Sequence, residues 1–197
     1  MTANVPLRLA MWSGPRNIST AMMRSWGNRR DCVVVDEPLY AHYLSVTRKP
    51  HPGIDEVLAT GETDWQKVVA ELTGDNLSSA SAAIYYQKHM THHLLPHMGF
   101  DWLSRLTNCF LIRHPREVLA SYVKGVGQPG REGTGFPQQS EIFEYVWKQP
   151  GHVPSVLDAA DVLRDPRRQL GLLCDRLGVE FQDEVRREEL EIESVAT

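Results

Sequence analysis

Residues 8–26, RLAMWSGPRNISTAMMRSW, decide the fold of this chain. A short apolar run ends at Trp12, a turn-forming segment follows, and Ile18, Met22 and Trp26 then recur at helical spacing. This pattern predicts a strand, a tight loop and a helix.

The loop is a candidate anion-binding site. A helix that begins directly after a tight loop leaves its first N–H groups unpaired and exposes the positive end of its dipole. Asn17, Ser19 and Thr20 add short polar groups there. Arg16 adds a permanent positive charge, with a fork of donors that suits phosphate or sulfate oxygens. The alternative to an anion-binding site is an ordinary corner between a strand and a helix, with an N-cap at the start of the helix.

The same loop differs from that of ATP and GTP hydrolases. Their form, G-x-x-x-x-G-K-[ST], requires a Lys directly before the hydroxyl residue, to reach the outer phosphates. Here Ile18 precedes Ser19, and the loop contains no Lys. The sequence therefore disfavours nucleotide hydrolysis.

Length and composition indicate one soluble domain. The chain has 197 residues, 42% apolar and 23% charged, which suits a single well-buried domain. Its net charge of -4 argues against a general nucleic-acid or membrane-surface binder. Three cysteines without a C-x-x-C pair, Cys32, Cys109 and Cys174, predict reduced and buried thiols. Because no signal peptide or long apolar run is present, we expect a cytoplasmic protein.

Two carboxylates follow the next apolar run. Residues 32–35, CVVV, are typical of a strand buried on both faces, and Asp36 and Glu37 come directly after them. In open parallel sheets, ligands bind at the carboxyl ends of the strands. We interpret Asp36 as a helix cap and Glu37 as a functional residue at that edge.

A third strand is predicted over residues 82–86, and a histidine-rich segment follows it. Histidines stand at positions 89, 92, 93 and 97, which is four of the eight in the chain. Positions 89, 93 and 97 would share one helical face, but Pro96 would break that helix, so we expect no metal site. We expect instead that Lys88 and one imidazole face the same cleft as Glu37, where a histidine can accept a proton near neutral pH.

A fourth strand over residues 109–112 is followed by Arg113, and Pro115 begins a helix that carries Ser121. A ligand or a salt bridge explains a charged residue at a strand end equally well. Residues 125–135 hold five of the fourteen glycines and are expected to form a lid or a surface loop.

The C-terminal part completes an α/β pattern. Helices are predicted over residues 138–148 and 166–177, a strand over 155–158, and a solvated helix beyond Phe181. These elements predict one three-layer α/β domain with a central parallel sheet.

Three segments resemble the sulfotransferases that use 3′-phosphoadenosine 5′-phosphosulfate, a branch of the P-loop fold. Residues 12–20, WSGPRNIST, resemble the family's loop for the 5′-phosphosulfate. Residues 110–122, FLIRHPREVLASY, resemble its 3′-phosphate segment, with an Arg at the strand end and a Ser eight residues later. Residues 36–43, DEPLYAHY, resemble the acceptor-side segment of bacterial and carbohydrate-directed members.

The resemblance implies roles for individual residues. The loop from Ser13 and Gly14 through Arg16 and Asn17 to Ser19 and Thr20 would hold the 5′-phosphate and the sulfonate. Arg113 and Ser121 would hold the 3′-phosphate. The acceptor's base would be Glu37, or His89 by analogy with members whose base is a histidine.

The implied reaction is metal-free, in-line sulfonate transfer to a hydroxyl or amine of a small acceptor. Two departures keep alternatives open. Arg16 stands where many relatives carry Lys, so its role would be electrostatic only. The chain ends soon after residues 170–177, where relatives continue with a closing segment, so a non-catalytic nucleotide-binding module is one alternative. A P-loop kinase is another, disfavoured by the missing Lys.

Overall fold

A parallel β-sheet forms the centre of the molecule. The computed structural model describes residues 6–74, 82–125, 131–151 and 153–183. Within these residues the sheet has five strands in the order β2-β3-β1-β4-β5. The strands are β1 (Leu7–Ser13), β2 (Cys32–Asp36), β3 (Ile84–Met90), β4 (Thr107–Ile112) and β5 (Ser155–Asp158). Every neighbouring pair is parallel, so all the carboxyl ends meet at one edge. The predicted α/β class is confirmed.

Helices flank the sheet. They are α1 (Ser19–Gly27), α2 (Tyr40–Thr47), α3 (Ile54–Thr60), α4 (Trp65–Thr73), α5 (Pro115–Gly125), α6 (Phe136–Trp147), α7 (Ala159–Arg164) and α8 (Pro166–Leu177). Local chemistry fixes their ends: Asp165 caps α8 by accepting from Arg168 N at 3.1 Å, and Gly178 closes it in the left-handed region. The sequence predicted neither α3 nor α7.

The core lies on both sides of the sheet because side chains alternate along each strand. On β1, Leu9 and Met11 pack in the cluster that contains Trp26 of α1 and the buried face of α8. Ala10 and Trp12 pack in the opposite cluster, which contains α4 and α6. This arrangement gives the three predicted layers.

The interpretation of residues 32–35 as a doubly buried strand is wrong. In the described sheet β2 is an edge strand that pairs with β3, and Val33 and Val34 are 38% and 36% exposed. A continuous β-branched run carries no alternation, so it does not reveal which face is solvated.

The third strand is longer than predicted. It continues through Gln87, Lys88 and His89 to Met90, and all seven of its residues are buried. These polar residues stay in the strand because each has a partner: Gln87 Nε2, for example, donates to Leu72 O at 2.9 Å.

Further expectations concern the three cysteines, membrane-spanning helices and two segments of the chain. Cys32, Cys109 and Cys174 are free thiols, of which Cys109 and Cys174 are buried and Cys32 is half-buried. In the described part of the chain, no helix combines the length and apolarity that a membrane crossing needs. Most of the solvated helix predicted beyond Phe181, from residue 184 onward, and residues 126–130 of the expected lid lie outside the described residues.

Candidate functional site

A cavity of about 410 Å³ opens at the carboxyl edge of the sheet. The β1–α1 loop, α1, the ends of β2, β3 and β4, and α5 contribute its lining. The lining residues are Pro15, Arg16, Asn17, Ser19, Thr20, Glu37, Lys88, Met90, Arg113 and Ser121.

The β1–α1 loop is held open toward this cavity. Arg16 adopts a left-handed backbone with φ 58°, and Asn17 Nδ2 donates to Leu111 O at 3.0 Å. Asn17 Oδ1 accepts from Ile18 N at 2.9 Å, so this side chain ties the loop to β4. No side chain of the described residues caps the N-terminus of α1, and Ser19 and Thr20 of its first turn line the cavity.

Two predicted loop residues lie beneath the cavity and do not line it. Ser13 is fully buried, and a Cβ on Gly14 would lie 2.9 Å from Thr134 O. Next to this contact, Gly135 has φ 72° and its carbonyl accepts from Thr91 Oγ1 at 2.9 Å. Ser13 and Gly14 therefore allow close packing under the loop, a role that the sequence alone did not reveal.

Gln139 of α6 is a second brace that sequence reasoning missed. Its Nε2 lies 3.3 Å from Trp12 O and 3.1 Å from Leu111 O, at the ends of β1 and β4. A polar residue three positions before Ile142, in line with the apolar stripe of α6, is the sequence signal that could have identified it.

Three predicted anion-binding residues come together. Arg16 Nε donates to Ser121 Oγ at 2.9 Å, although the two are 105 positions apart. Arg113 Nη1 donates to Arg16 O at 3.1 Å, and Arg113 Nε donates to Glu117 at 3.1 Å. The end of β4 and α5 are thus joined to the β1–α1 loop.

Glu37 and Lys88 form the opposite wall. Lys88 Nζ donates to Glu37 Oε1 at 2.7 Å and to Asp36 Oδ1 at 2.8 Å. Burial by itself lowers the pKa of Lys88, but the hydrogen bonds and ion pairs with Asp36 and Glu37 outweigh it and raise the pKa above its ordinary value. Glu37 has φ 44°, a left-handed conformation that costs a non-glycine residue energy and is common at functional sites.

The interpretation of Asp36 as a helix cap is wrong. The N-cap of α2 is Leu39, and the Asp36 carboxylate instead binds Lys88. The expectation that Lys88 faces the same cleft as Glu37 agrees with the cavity lining.

His89 does not reach the cavity. Its ring stacks on Trp12 with 4.3 Å between centroids, is 1% exposed, and places Nε2 3.2 Å from Gln87 Oε1. Burial lowers the pKa of His89 to about 3. The reason is strand alternation: His89 and Lys88 point to opposite faces of β3.

The other histidines lie on separate elements. His93 ends a 3₁₀ turn, Thr91–His93, and His97 lies in a second, Pro96–Met98. His93 Nδ1 is 3.9 Å from Glu37 Oε2, whereas His97 Nε2 contacts His42 Nε2 at 2.9 Å. Across the described ranges, no three histidine, cysteine or acidic residues cluster as metal ligands would.

The charge of the cavity favours anions. Three cations, Arg16, Lys88 and Arg113, line it together with one carboxylate, Glu37. The open N-terminus of α1 adds a partial positive charge. A ligand with several negative charges fits this arrangement.

Comparison with known proteins gives three kinds of match. A family model described as "Sulfotransferase domain" matches residues 7–189. Branched-chain-amino-acid aminotransferase-like proteins 1 and 2 of Arabidopsis thaliana are 37% and 33% identical over 171 residues. Those matches cover 87% of this chain but 30% of each relative, so the chain spans less than a third of their length.

Solved structures share the fold at low sequence identity. The sulfotransferase domain from the curacin biosynthetic pathway has a TM-score of 0.60 and 16% identity, covering 94% of this chain and 80% of that one. A sulfotransferase from Alicyclobacillus acidocaldarius has a TM-score of 0.53 and 13% identity, with 95% and 89% covered. Mouse sulfotransferase SULT7A1 complexed with PAP has a TM-score of 0.51 and 11% identity, with 96% and 63% covered.

Proposed function

The chain belongs to the sulfotransferase-domain family, and from that premise we propose that it transfers a sulfonate from 3′-phosphoadenosine 5′-phosphosulfate to a hydroxyl or amine of a small acceptor. The observation that carries this proposal is the meeting of Arg16, Lys88 and Arg113 at one cavity, beside the open N-terminus of α1. The donor carries a phosphate at the 3′ position and a phosphosulfate at the 5′ position, and a cavity lined by three cations suits a ligand with two anionic groups.

In the proposed complex, the 5′-phosphosulfate lies against the β1–α1 loop. Arg16 and the N–H and hydroxyl groups of Ser19 and Thr20 bind its oxygens. Arg113 and Ser121 bind the 3′-phosphate. Arg113 uses two of its five donors in contacts within the described chain, so its guanidinium retains donors for a ligand.

The proposed chemistry is in-line displacement at sulfur. Negative charge grows on the bridging oxygen as the sulfonate departs, and fixed cations stabilise that charge. Removing one such donor typically slows a reaction by about 100-fold or more. Arg16 and Lys88 are the two cations on the 5′ side of the cavity in this proposal.

The acceptor must lose a proton, and we assign Glu37 as the base. Glu37 lines the cavity, and Lys88 binds its Oε1, which leaves Oε2 for the acceptor. Lys88 holds this carboxylate in place by an ion pair at 2.7 Å. The full burial of His89 on the other face of β3 supports this choice over His89.

The names of the Arabidopsis relatives describe much longer proteins, of which this chain matches 30%. We therefore carry no aminotransferase activity over to this chain, and base the proposal on the family match and the charge of the cavity.

The test is a transfer assay with the labelled donor and a panel of phenols, alcohols, sugars and amines, run with and without a chelator. We expect acceptor-dependent release of adenosine 3′,5′-bisphosphate in both conditions, reduced about 100-fold or more in Arg16→Ala. Lys67→Ala, at a surface pair whose Lys side chain is 69% exposed, is the control and should leave the rate unchanged. Binding of the bisphosphate without transfer to any acceptor would favour the non-catalytic module, and magnesium-dependent turnover of ATP would favour the kinase.

A further inference from the structure

A buried imidazole with an unused nitrogen lies behind the proposed base. His93 is 3% exposed, and its Nδ1 has no hydrogen-bond partner within the described chain. The nearest acidic oxygen is Glu37 Oε2, at 3.9 Å, on the side of the carboxylate that Lys88 does not bind. A buried polar atom without a partner is costly and calls for an explanation, and a role in catalysis is one explanation that fits an imidazole beside a carboxylate.

Packing fixes the His93 ring in this position. It stacks on Tyr40, with 4.9 Å between centroids and 25° between planes, and packs on Tyr43 at 4.8 Å. Its ring also meets His92 edge-on at 4.4 Å. The ring therefore cannot turn away from Glu37 without disturbing α2.

The groups around His93 keep it neutral. Burial holds the pKa of His93 well below its ordinary value, and nearby charges act in the same direction. The titratable and charged groups that face it are Glu37, Lys88, His89, His92, Lys49, Tyr40 and Tyr43. At neutral pH one ring nitrogen of His93 thus carries a proton and the other a lone pair.

We propose that His93 is a positioning residue for Glu37, and that its Nδ1 lone pair accepts a hydrogen bond from the Glu37 carboxyl once Glu37 has taken the acceptor's proton. This inference rests on the proposed function. Nδ1 is sealed from solvent, so the acceptor does not touch it, and His93 acts only through Glu37.

The step balances without any further reactant. The acceptor oxygen or nitrogen forms a bond to sulfur, the bond from sulfur to the bridging oxygen breaks, and the nucleotide bisphosphate leaves with that electron pair. The acceptor's proton moves to Glu37 Oε2, which then donates it in a hydrogen bond to His93 Nδ1. When the product leaves, the proton passes from the carboxyl to water.

The separation of the two atoms supports a lone pair on Nδ1. An N–H group facing a carboxylate is drawn to about 2.7–2.9 Å, about 1 Å closer than the 3.9 Å observed. The hydrogen bond between Glu37 and His93 Nδ1 is absent while Glu37 is an ionised carboxylate, and it forms when Glu37 is a protonated carboxyl. It is therefore an interaction that strengthens as the proton is transferred, which is the kind that accelerates a reaction.

The first test is spectroscopic and needs no activity. In a protein labelled with ¹⁵N at histidine, long-range ¹H–¹⁵N correlations should show the proton of His93 on Nε2 at neutral pH. Glu37→Gln imitates the protonated carboxyl, because Lys88 takes the amide oxygen and the NH₂ group is left facing His93. In Glu37→Gln the Nδ1 signal of His93 should shift as a hydrogen-bonded lone pair does, whereas Glu37→Met should give no such shift. A proton on Nδ1 in the native protein, or identical signals in the two variants, would overturn the proposal.

The second test is the pH profile of transfer. His93→Leu keeps the apolar packing but removes the hydrogen-bond acceptor of the protonated carboxyl, so the acidic limb of the pH profile should move down by about one unit. The maximal rate should fall about tenfold with an unchanged KM for the donor. His93→Asn, which has an amide oxygen near the position of Nδ1, should restore both, and Lys67→Ala, at an exposed surface pair, should change neither.

An unmoved acidic limb in His93→Leu would show that His93 is structural and would overturn the proposal. If the native protein sulfonates no acceptor, the proposed function fails, and the spectroscopic comparison of Glu37→Gln with Glu37→Met still decides whether His93 accepts the hydrogen bond.

Discussion

Replacing Lys88 with Met tests whether the charge arrangement of the cavity is as described. The Lys88 side chain is 4% exposed and donates to two carboxylates, at 2.7 and 2.8 Å. Hydrogen bonds to charged groups contribute about 1.5–3 kcal/mol each, which sets an upper limit of about 3–6 kcal/mol for the two. Asp36 and Glu37 are 50% and 28% exposed, so solvent screens both contacts, and Met also avoids the cost of burying an ammonium. We therefore expect a net loss of about 1–2 kcal/mol of unfolding free energy at pH 7.

The sign of the pH dependence follows from the same contacts. Without Lys88, two neighbouring carboxylates repel each other, and protonation relieves that repulsion. The difference between Lys88→Met and the native protein should therefore shrink as the pH falls from 7 toward 3. It should also shrink above the native protein's raised Lys88 pKa, because the native ion pair is lost there too.

Urea unfolding followed by circular dichroism between pH 3 and 7 measures this difference. Lys67→Met is the matched control, because it removes an exposed Lys–Glu pair and should cost about 0.5 kcal/mol or less. A Lys88→Met loss equal to that of Lys67→Met, or a loss that grows on acidification, would show that Lys88 does not hold the two carboxylates as described.

Two further predictions concern stability. Burial lowers the pKa of His89 to about 3, so the unfolded chain binds a proton below about pH 6.5 that the folded chain refuses. The unfolding free energy therefore decreases as the pH falls below 6.5, by about 1.4 kcal/mol per pH unit. At pH 5 the loss that His89 causes is about 2 kcal/mol. His89→Gln should flatten this part of the stability profile, and an unchanged slope would count against the burial. Gly135→Ala forces a side chain onto φ 72° with its Cβ 2.6 Å from Thr91 Oγ1, and should cost about 2–3 kcal/mol in urea unfolding. Gly151→Ala is the control, because Gly151 has φ 77° and nothing within 4 Å of an added Cβ, so its variant shows only the backbone cost of about 1 kcal/mol. Equal losses in Gly135→Ala and Gly151→Ala would rule out the contact with Thr91.

Local sequence patterns predicted the parts of the fold that local chemistry determines. The strand, loop and helix over residues 8–26 follow from an apolar run, a Gly-Pro turn and helical spacing. The predicted helix over 166–177 matches α8 because Pro166 and Gly178 mark its two ends. Arg113 and Ser121 were assigned to one site by the family resemblance alone, and both line the cavity.

The remaining features depend on contacts that are distant in sequence. β3 lies between β1 and β2, and this order alone brings Lys88 within 2.8 Å of Asp36, 52 positions away. No property of residues 32–37 reveals it. The sequence predicted that β3 ends before Lys88 and His89, because two polar residues are unusual inside a buried strand. Their partners are the carboxylates of Asp36 and Glu37 and the indole ring of Trp12, which are distant in sequence.

The proposed 3′-phosphate site is the feature that distinguishes a sulfotransferase donor from ordinary nucleotides, which lack a 3′-phosphate. Calorimetric titration of the native protein, Arg113→Ala and Arg116→Ala with adenosine 3′,5′-bisphosphate and with ADP tests it directly. Arg116 is exposed near the start of α5, three residues after Arg113, and lies outside the cavity lining, so its variant is the matched control. A charge-assisted contact to the 3′-phosphate is worth about 1.5–3 kcal/mol, or about tenfold or more in affinity.

The native protein and Arg116→Ala should prefer the bisphosphate to ADP by at least about tenfold, and Arg113→Ala should lose this preference. Equal binding of the two nucleotides by the native protein, or a preference that survives in Arg113→Ala, would contradict the proposed 3′-phosphate site.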